Sequence, residues 1–283
     1  MSQDAIAYIT DKYIKLTNVE RKIADYVILH YDESLSLSVQ ALAEKAEVSA
    51  ATVIRFAQQM GFEGYKELRL FLATNRPEHE DVIVDLKKER GTVETQVSKV
   101  INANIEAMRL TGENLDYDIL EKIALKIKDA RQIILFGTGT SYIVCTDSAL
   151  KFQRLGKIAS AYCDLHSATV AIANMAENDV LIAVSHSGQN IDTCKAVEIA
   201  KNSGIKTLAV TTFSESKISI IADYVLLTKT RESPLHKIAI SSRISQFAVM
   251  DSLLMACMVT DYSDSISHID LLSKKIKERK EED

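Results

Sequence analysis

The hydrophobic positions of this chain change period partway along it, and the change divides the chain in two. Over residues 1–73 apolar side chains recur at three- and four-residue spacing, as in Ile23 and Val27 or in Val53, Phe56, Ala57 and Met60. No run alternates at the period of a strand, so the segment reads as helical throughout. Residues 75–81 are polar and aperiodic, contain Pro77, and mark a domain boundary. Helical spacing returns over 92–113, with Val93, Val97, Val100, Ile101, Ile105 and Met108 on one side, and a second helix is predicted over 119–130. Short continuous apolar runs then follow at Ile133–Phe136, Ile158–Tyr162, Val180–Val184, Thr207–Val210 and Tyr224–Leu227, most of them separated by helical segments. Such runs predict a parallel sheet covered on both faces. The first runs lead into Gly-, Ser- and Thr-rich turns at strand carboxyl ends, where open α/β sheets bind ligands.

The expected fold is therefore α/β overall. An all-α N-terminal domain (1–77) is followed by a linker and connecting helix (78–118). A three-layer α/β/α domain with a five-stranded parallel sheet (119–263) and a charged C-terminal helix (264–283) complete it. The tail reads as a solvated terminus in preference to an interaction segment.

Composition narrows the class. At 283 residues, 47% hydrophobic and 26% charged, the chain suits about two globular domains. Cys145, Cys163, Cys194 and Cys257 are far apart and none sits at CxxC spacing, which argues against a zinc ribbon or redox motif and suits a reducing cytosol. The segment 1–13 lacks a basic region followed by an apolar core, so no signal peptide is predicted. The apolar stretch Phe247–Thr260 is broken by Asp251, and no membrane helix or membrane partner is predicted. A cytoplasmic location is expected. The net charge of −5 does not advertise a nucleic-acid partner, and residues 1–77 carry −1. Only 50–76 is basic, at +2.

The segment 38–56 nevertheless has a specific geometry. Ser38 can cap a short helix whose Leu42 and Ala43 face inward, and small Ala43 admits a second helix closely. Val48 fills the turn, Ser49 caps the next helix, and Val53 and Phe56 point into the core. Thr52, Arg55, Gln58 and Gln59 are expected outside. This pattern fits a helix-turn-helix that presents its second helix to the major groove, although a plain helical hairpin packed on a partner shares it. Arg55 suits guanine edges or a phosphate and Gln58 suits adenine, while Ser49 and Thr52 suit backbone phosphates. Gly61 closes the helix and Gly61–Arg69 starts another.

With Leu16-Thr17, Ile23-Ala24-Asp25-Tyr26, Leu42-Ala43, Val48-Ser49, Ala51-Thr52-Val53, Arg55-Phe56 and the Gly61–Leu68 block, the N-terminal domain resembles the RpiR family of bacterial regulators. The resemblance implies an operator-DNA reader with Ser49, Thr52, Arg55 and Lys66 as contacts.

Two loops in the second half carry the remaining chemistry. Phe136-Gly137-Thr138-Gly139-Thr140-Ser141 follows a strand and opens a helix, so its glycines admit a ligand and the helix start offers N–H groups to an anion. A dinucleotide fingerprint needs glycine at 142, where Tyr142 stands, so no nucleotide cofactor is expected. Ser185-His186-Ser187-Gly188-Gln189-Asn190 likewise joins a strand to a helix, and its serines and glycine form a small phosphate cradle. The pairing resembles the SIS (sugar isomerase) domain over roughly 120–260, together with Asp164, His166, Asn178-Asp179 and Ser242-Arg243. That resemblance implies that Gly139, Thr140 and Ser141 contact sugar hydroxyls or phosphate and that Ser185, Ser187 and Asn190 hold the phosphate. His186 either lines the pocket or orients the loop; His166 is either a donor or a surface residue. Gln189, Asn190 and Asp192 depart from the usual glutamate, threonine and glutamate, which opens the identity of the ligand.

Three functions compete. A regulator uses both halves: a sugar phosphate, for example of an amino sugar, shifts an equilibrium between subunit arrangements and alters how paired readers meet their half-sites. This requires a homodimer or larger homo-oligomer, with helices 92–113 and 244–260 either as its interface or as intradomain packing. A phosphosugar isomerase or lyase needs a general base and often a second acid; His166, His186 and His236 qualify by type, but no pair has convincing spacing. A helical interaction module with no DNA role is the third. The regulator is expected, with no catalytic residue, no cofactor and no metal site.

Overall fold

The computed structural model describes residues 5–76, 92–230 and 241–281. The expected linker over 78–91 and His236 lie outside the described residues. The chain divides into two compact units, Met1–Ala107 with Thr230–Ser241 and Met108–Lys229 with Ser242–Asp283.

In the first unit the helical spacing resolves into α1 (Ala5–Lys12), α2 (Asn18–Leu29), α3 (Tyr31–Ser36), α4 (Val39–Lys45), α5 (Ala50–Gln59) and α6 (Tyr65–Thr74). The starts have local causes. Thr17 opens α2 with a capping box: its hydroxyl accepts from the Glu20 N–H while the Glu20 carboxylate accepts from the Thr17 N–H. Ser38 and Ser49 cap α4 and α5 by accepting from the N–H groups of Ala41 and Thr52. The periodic apolar residues then meet in one core built on Ile9, Ile23, Val27, Leu42, Phe56 and Leu68. Polar contacts fix α6: the Tyr31 hydroxyl donates to the Leu72 carbonyl, and Tyr65 and Arg69 both donate to the Leu37 carbonyl. The helix expected over 92–113 is α7 (Val93–Glu113).

The second unit runs α8 (Tyr117–Asp129), β1 (Gln132–Gly137), α9 (Thr140–Arg154), β2 (Ile158–Tyr162), α10 (Leu165–Ile172), β3 (Val180–Val184) and α11 (Ile191–Asn202). It continues with β4 (Lys206–Thr211), α12 (Lys217–Ile221), β5 (Tyr224–Leu227), α13 (Ser241–Thr260) and α14 (Tyr262–Glu281). The five strands form one parallel sheet in the order β2-β1-β3-β4-β5. Side chains alternate between two cores. Ile133 and Leu135 of β1 face α8, α9 and α13, whereas Ile134 and Phe136 face α10, α11 and α12. This double burial is why the strands read as continuous apolar runs. Helix α8 begins before the expected Ile119 because Asp116 caps it. Ser242 and Arg243 lie within the first turn of α13. Among the described residues no single helix is long and apolar enough to cross a membrane.

Asp179, just ahead of β3, is fully buried and ties the amino ends of two strands. Its Oδ1 accepts from the Arg131 and Gln132 N–H groups at 3.1 and 2.9 Å, and its Oδ2 from the Ala176 N–H at 2.8 Å. The Arg131 guanidinium lies 3.5 Å from Oδ2. Asp179→Ala removes the acceptor and leaves these donors unmatched, which costs about 2 kcal/mol. A fall in the urea midpoint is the expected readout; an unchanged midpoint contradicts this role.

Candidate functional site

The first candidate surface is built by the turn between α4 and α5. Helix α4 ends in a Schellman motif: the Glu47 N–H donates to the Glu44 carbonyl at 3.1 Å and the Val48 N–H to the Ala43 carbonyl at 2.8 Å. This closure requires a left-handed residue, and the position is held by Glu47 at φ +54°, among the described residues the one non-glycine with positive φ. Val48 packs against the core beside it, as expected. The Ser49 cap then launches α5 in a new direction.

Val53, Phe56, Ala57 and Met60 are buried along α5, and Ala51, Ile54, Arg55, Gln58 and Gln59 are exposed. Thr52 corrects the expectation that it faces outward: it is 6% exposed. Thr52 lies one turn before Phe56 and so shares the buried side of the helix. Its hydroxyl meets the Ser49 hydroxyl at 2.8 Å and accepts from the Arg55 guanidinium at 3.3 Å. It therefore braces the helix start and steers Arg55. The far end of α5 is equally fixed. Gly61, at φ +94°, closes a second Schellman motif, with its N–H on the Gln58 carbonyl and the Phe62 N–H on that of Ala57. Tyr8 and Lys12 of α1 donate to the Met60 carbonyl at 2.6 and 2.8 Å. Lys66 is exposed in the first turn of α6.

The second candidate surface is the carboxyl edge of the sheet. Strands β1 and β3 are direct neighbours, with Gly137 opposite Val184. The loops 137–141 and 185–190 thus emerge side by side, and the helices that follow them depart to opposite faces. This is the crevice where doubly wound sheets take ligands. Gly137 lets the first loop lie close on α9: a Cβ there would sit 2.9 Å from the Cys145 Sγ and 3.0 Å from the Ser141 backbone. Burial pushes the Cys145 thiol up, so it stays a neutral packing group. Gly139 caps α9 at φ +56° with open space where a Cβ would be. Thr140 is exposed, and Ser141 is turned inward against the buried Gln246 amide of α13, at 3.3 Å.

In the second loop the two serines differ. Ser185 is buried and accepts from the Gly188 N–H at 3.2 Å; Ser187 is exposed and accepts from the Gln189 N–H at 3.2 Å. Gly188 is buried at φ +63°, and a Cβ there would meet the Ser216 Oγ at 2.1 Å. The His186 carbonyl accepts from the Thr212 N–H and the Thr211 hydroxyl, both at 3.1 Å. Its ring Nδ1 lies 2.9 Å from the Thr212 hydroxyl, which meets Thr228 at 2.7 Å. Asn190 caps α11: its Oδ1 accepts from the Thr193 N–H and hydroxyl at 2.9 and 3.0 Å. That commitment leaves only the amide Nδ2 as the donor expected of Asn190. Asp192 is exposed in the first turn of α11, where its charge opposes a second anion.

The other expected residues serve the framework. Asp164 caps α10 by accepting from the Ser167 N–H at 2.8 Å, and that bond holds its carboxyl below the usual range. His166 is exposed on the same turn. Among the described residues no cluster of three or more His, Cys, Asp or Glu could hold a metal ion. Thr212, Ser216, Thr228 and Gln246, all buried, are the polar residues of this edge that the sequence reading missed. Thr211-Thr212 and Thr228, at the ends of β4 and β5, were a readable signal. Gln246 was not, because it reaches the edge from a helix more than a hundred residues away.

Comparison with known proteins comes to the same two halves. Residues 3–77 match the helix-turn-helix domain of the rpiR family, and residues 126–256 match the SIS domain. An uncharacterised HTH-type transcriptional regulator of Haemophilus influenzae is 32% identical over 256 residues, covering 89% of this chain and 88% of that one. The HTH-type transcriptional regulator RpiR of Escherichia coli K12 is 28% identical over 249 residues, covering 88% and 84%. The solved structure of Vibrio vulnificus NanR complexed with ManNAc-6P shares the fold at a TM-score of 0.61 and 21% identity, covering 96% of this chain and 98% of that one.

The two loop glycines separate by substitution. Gly188→Ala adds a clash to a positive φ and costs about 3 kcal/mol or more, whereas Gly139→Ala, at φ +56° and ψ −128°, bears the conformational cost alone, about 1–3 kcal/mol. Urea denaturation of both variants checks the order; a Gly139 variant less stable than the Gly188 variant reverses it.

Proposed function

We propose, on the premise that the chain belongs to the RpiR family of helix-turn-helix transcriptional regulators, that its SIS domain binds a phosphosugar and that this ligand modulates operator binding. The protein is a transcription regulator with a DNA-reading N-terminal half. The reader comprises residues 1–77 and the sensor residues 119–263, with 78–118 between them and 264–283 as a C-terminal extension. In the reader, Arg55 and Gln58 approach base edges, Ser49 and Lys66 approach phosphates, and Thr52 orients Arg55.

The sensor reading rests on one observation: loops 137–141 and 185–190 leave neighbouring strands at the switch point of the sheet. Gly139, Thr140 and Ser141 take the sugar hydroxyls. The Ser185–Gly188 turn and the Asn190 Nδ2 take the phosphate, with His186 beside them on Thr212. We assign no catalytic role and no cofactor. His186 is engaged with Thr212, and His166 stands exposed beside a helix cap with no second acid assigned to it. NanR of Vibrio vulnificus is complexed with ManNAc-6P, and an amino-sugar phosphate is the effector class we propose here.

Modulation of paired readers requires at least two copies of the chain. The outward face of α7 suits that contact: Val93, Val97, Ile101, Ile105 and Met108 recur every three or four residues, and each is more than half exposed. With DNA as its partner, the protein works in the cytoplasm.

Two measurements test the halves separately. Arg55→Ala lowers operator affinity by roughly tenfold or more, about the worth of one bidentate base contact, with an unchanged melting curve. Equal binding by fluorescence anisotropy across sequences and salt concentrations removes Arg55 from the reader. In a thermal-shift screen of hexose and amino-sugar phosphates, at least one raises the melting temperature; saturation at about 100 times Kd stabilises by about 2.7 kcal/mol. A screen without any shift defeats the sensor.

A further inference from the structure

The exposed face of α5 carries an apolar residue that the reader described above does not use. Ile54 is 42% exposed, although its helix has a complete buried face in Val53, Phe56, Ala57 and Met60. Ala51, Ile54, Arg55 and Gln58 stand at i, i+3, i+4 and i+7 of one helix and so share one outward face. Arg55 is the one cation on α5, and residues 1–77 carry −1. A reader whose net charge is −1 gains little from long-range attraction to DNA, so contacts to base edges must supply more of its binding.

We propose that Ile54 is a specificity-determining residue that packs on the 5-methyl group of a thymine in the operator. The 5-methyl is the apolar feature that the major groove presents, and a branched aliphatic side chain matches it by exclusion of water. Contact removes both the methyl and the otherwise hydrated isoleucine from solvent. Gln58, one turn further on, suits adenine. Ile54 with Gln58 thus directs the helix to A·T pairs, and Arg55 anchors it to a guanine or a phosphate. The inference rests on the reader assignment above and adds to it the base and the chemical group that are read.

Uracil tests this directly, because it pairs as thymine does and lacks only the methyl. The full-length wild-type chain selects duplexes from a random library, and each thymine of a selected duplex is replaced singly by uracil. Dissociation constants are measured for wild type, Ile54→Ala and Ile54→Val. At one thymine per half-site, uracil weakens wild-type binding about fourfold, the worth of one buried methyl group. The same replacement has no effect on Ile54→Ala, and Ile54→Val keeps part of it. Melting curves unchanged from wild type establish that both variants fold. An identical uracil penalty in wild type and Ile54→Ala overturns the proposal, as does the absence of any uracil-sensitive position in wild type. If the wild-type chain selects no duplex at all, the reader assignment falls and Ile54 falls with it.

Discussion

The pairing of β1 with β3 is the constraint on which the carboxyl edge of the sheet, and with it the proposed ligand site, depends. A parallel sheet ordered β2-β1-β3-β4-β5 must send the chain from β1 to one face and from β3 to the other. The loops at that divergence lead to helices on opposite faces and leave Thr140 and Ser187 exposed at the edge, the place where open α/β sheets take ligands. Every residue that matters there is placed by this parting of the chain. Gly137 allows the first loop to hug α9, Gly188 allows the second to pass under Ser216, and Asp179 locks the opposite ends of the same two strands.

The reader is rigid for a different reason. A recognition helix with a single cation must hold its donors in place, since long-range attraction contributes little. Helix α5 is fixed at both ends by bonds that do not involve its outer face. Ser49 and Thr52 brace its start, and Tyr8, Lys12 and the Gly61 closure hold its last carbonyls. The turn before it is also the strained point of the unit. Glu47 takes up a left-handed conformation that costs a side-chain-bearing residue about 1–2 kcal/mol. The neighbouring Schellman bonds and the packing of Val48 offset that strain.

Much of this was legible in the amino-acid order, and the limits have physical causes. Strands buried on both faces announce themselves as unbroken apolar runs; β2, β3 and β5 match their predicted ranges and β1 and β4 extend them by one residue at each end. Caps at Ser38, Ser49 and Gly61 were legible because their bonds are local. Thr52 was misjudged because polarity was taken as a sign of exposure, whereas a short hydroxyl next to a cap can satisfy itself inside. Ile54 was passed over for the converse reason: an apolar residue in an amphipathic helix is read as core by default. Gln246 joins Ser141 across the sheet edge, a partnership that no local pattern encodes.

The same edge sets what kind of anion it can favour. Neither loop, 137–141 nor 185–190, contains a lysine or arginine. Asn190 occupies the Thr193 N–H at the start of α11, and Asp192 places a negative charge in its first turn. In the proposed sensor the phosphate is held by the neutral donors of the Ser185–Gly188 turn and the Asn190 Nδ2, with part of the α11 dipole already spent. Neutral donors bind a divalent anion less strongly than a cationic clamp does. Discrimination among phosphorylated ligands therefore shifts toward the rest of the molecule. Within that proposed sensor, hydroxyl and amide groups on a sugar can pair with the exposed Thr140, whereas His186 and the threonines behind it are already bonded to one another and serve to hold the loop. The lack of a cation in either loop thus makes the proposed site a reader of the sugar more than of its charge.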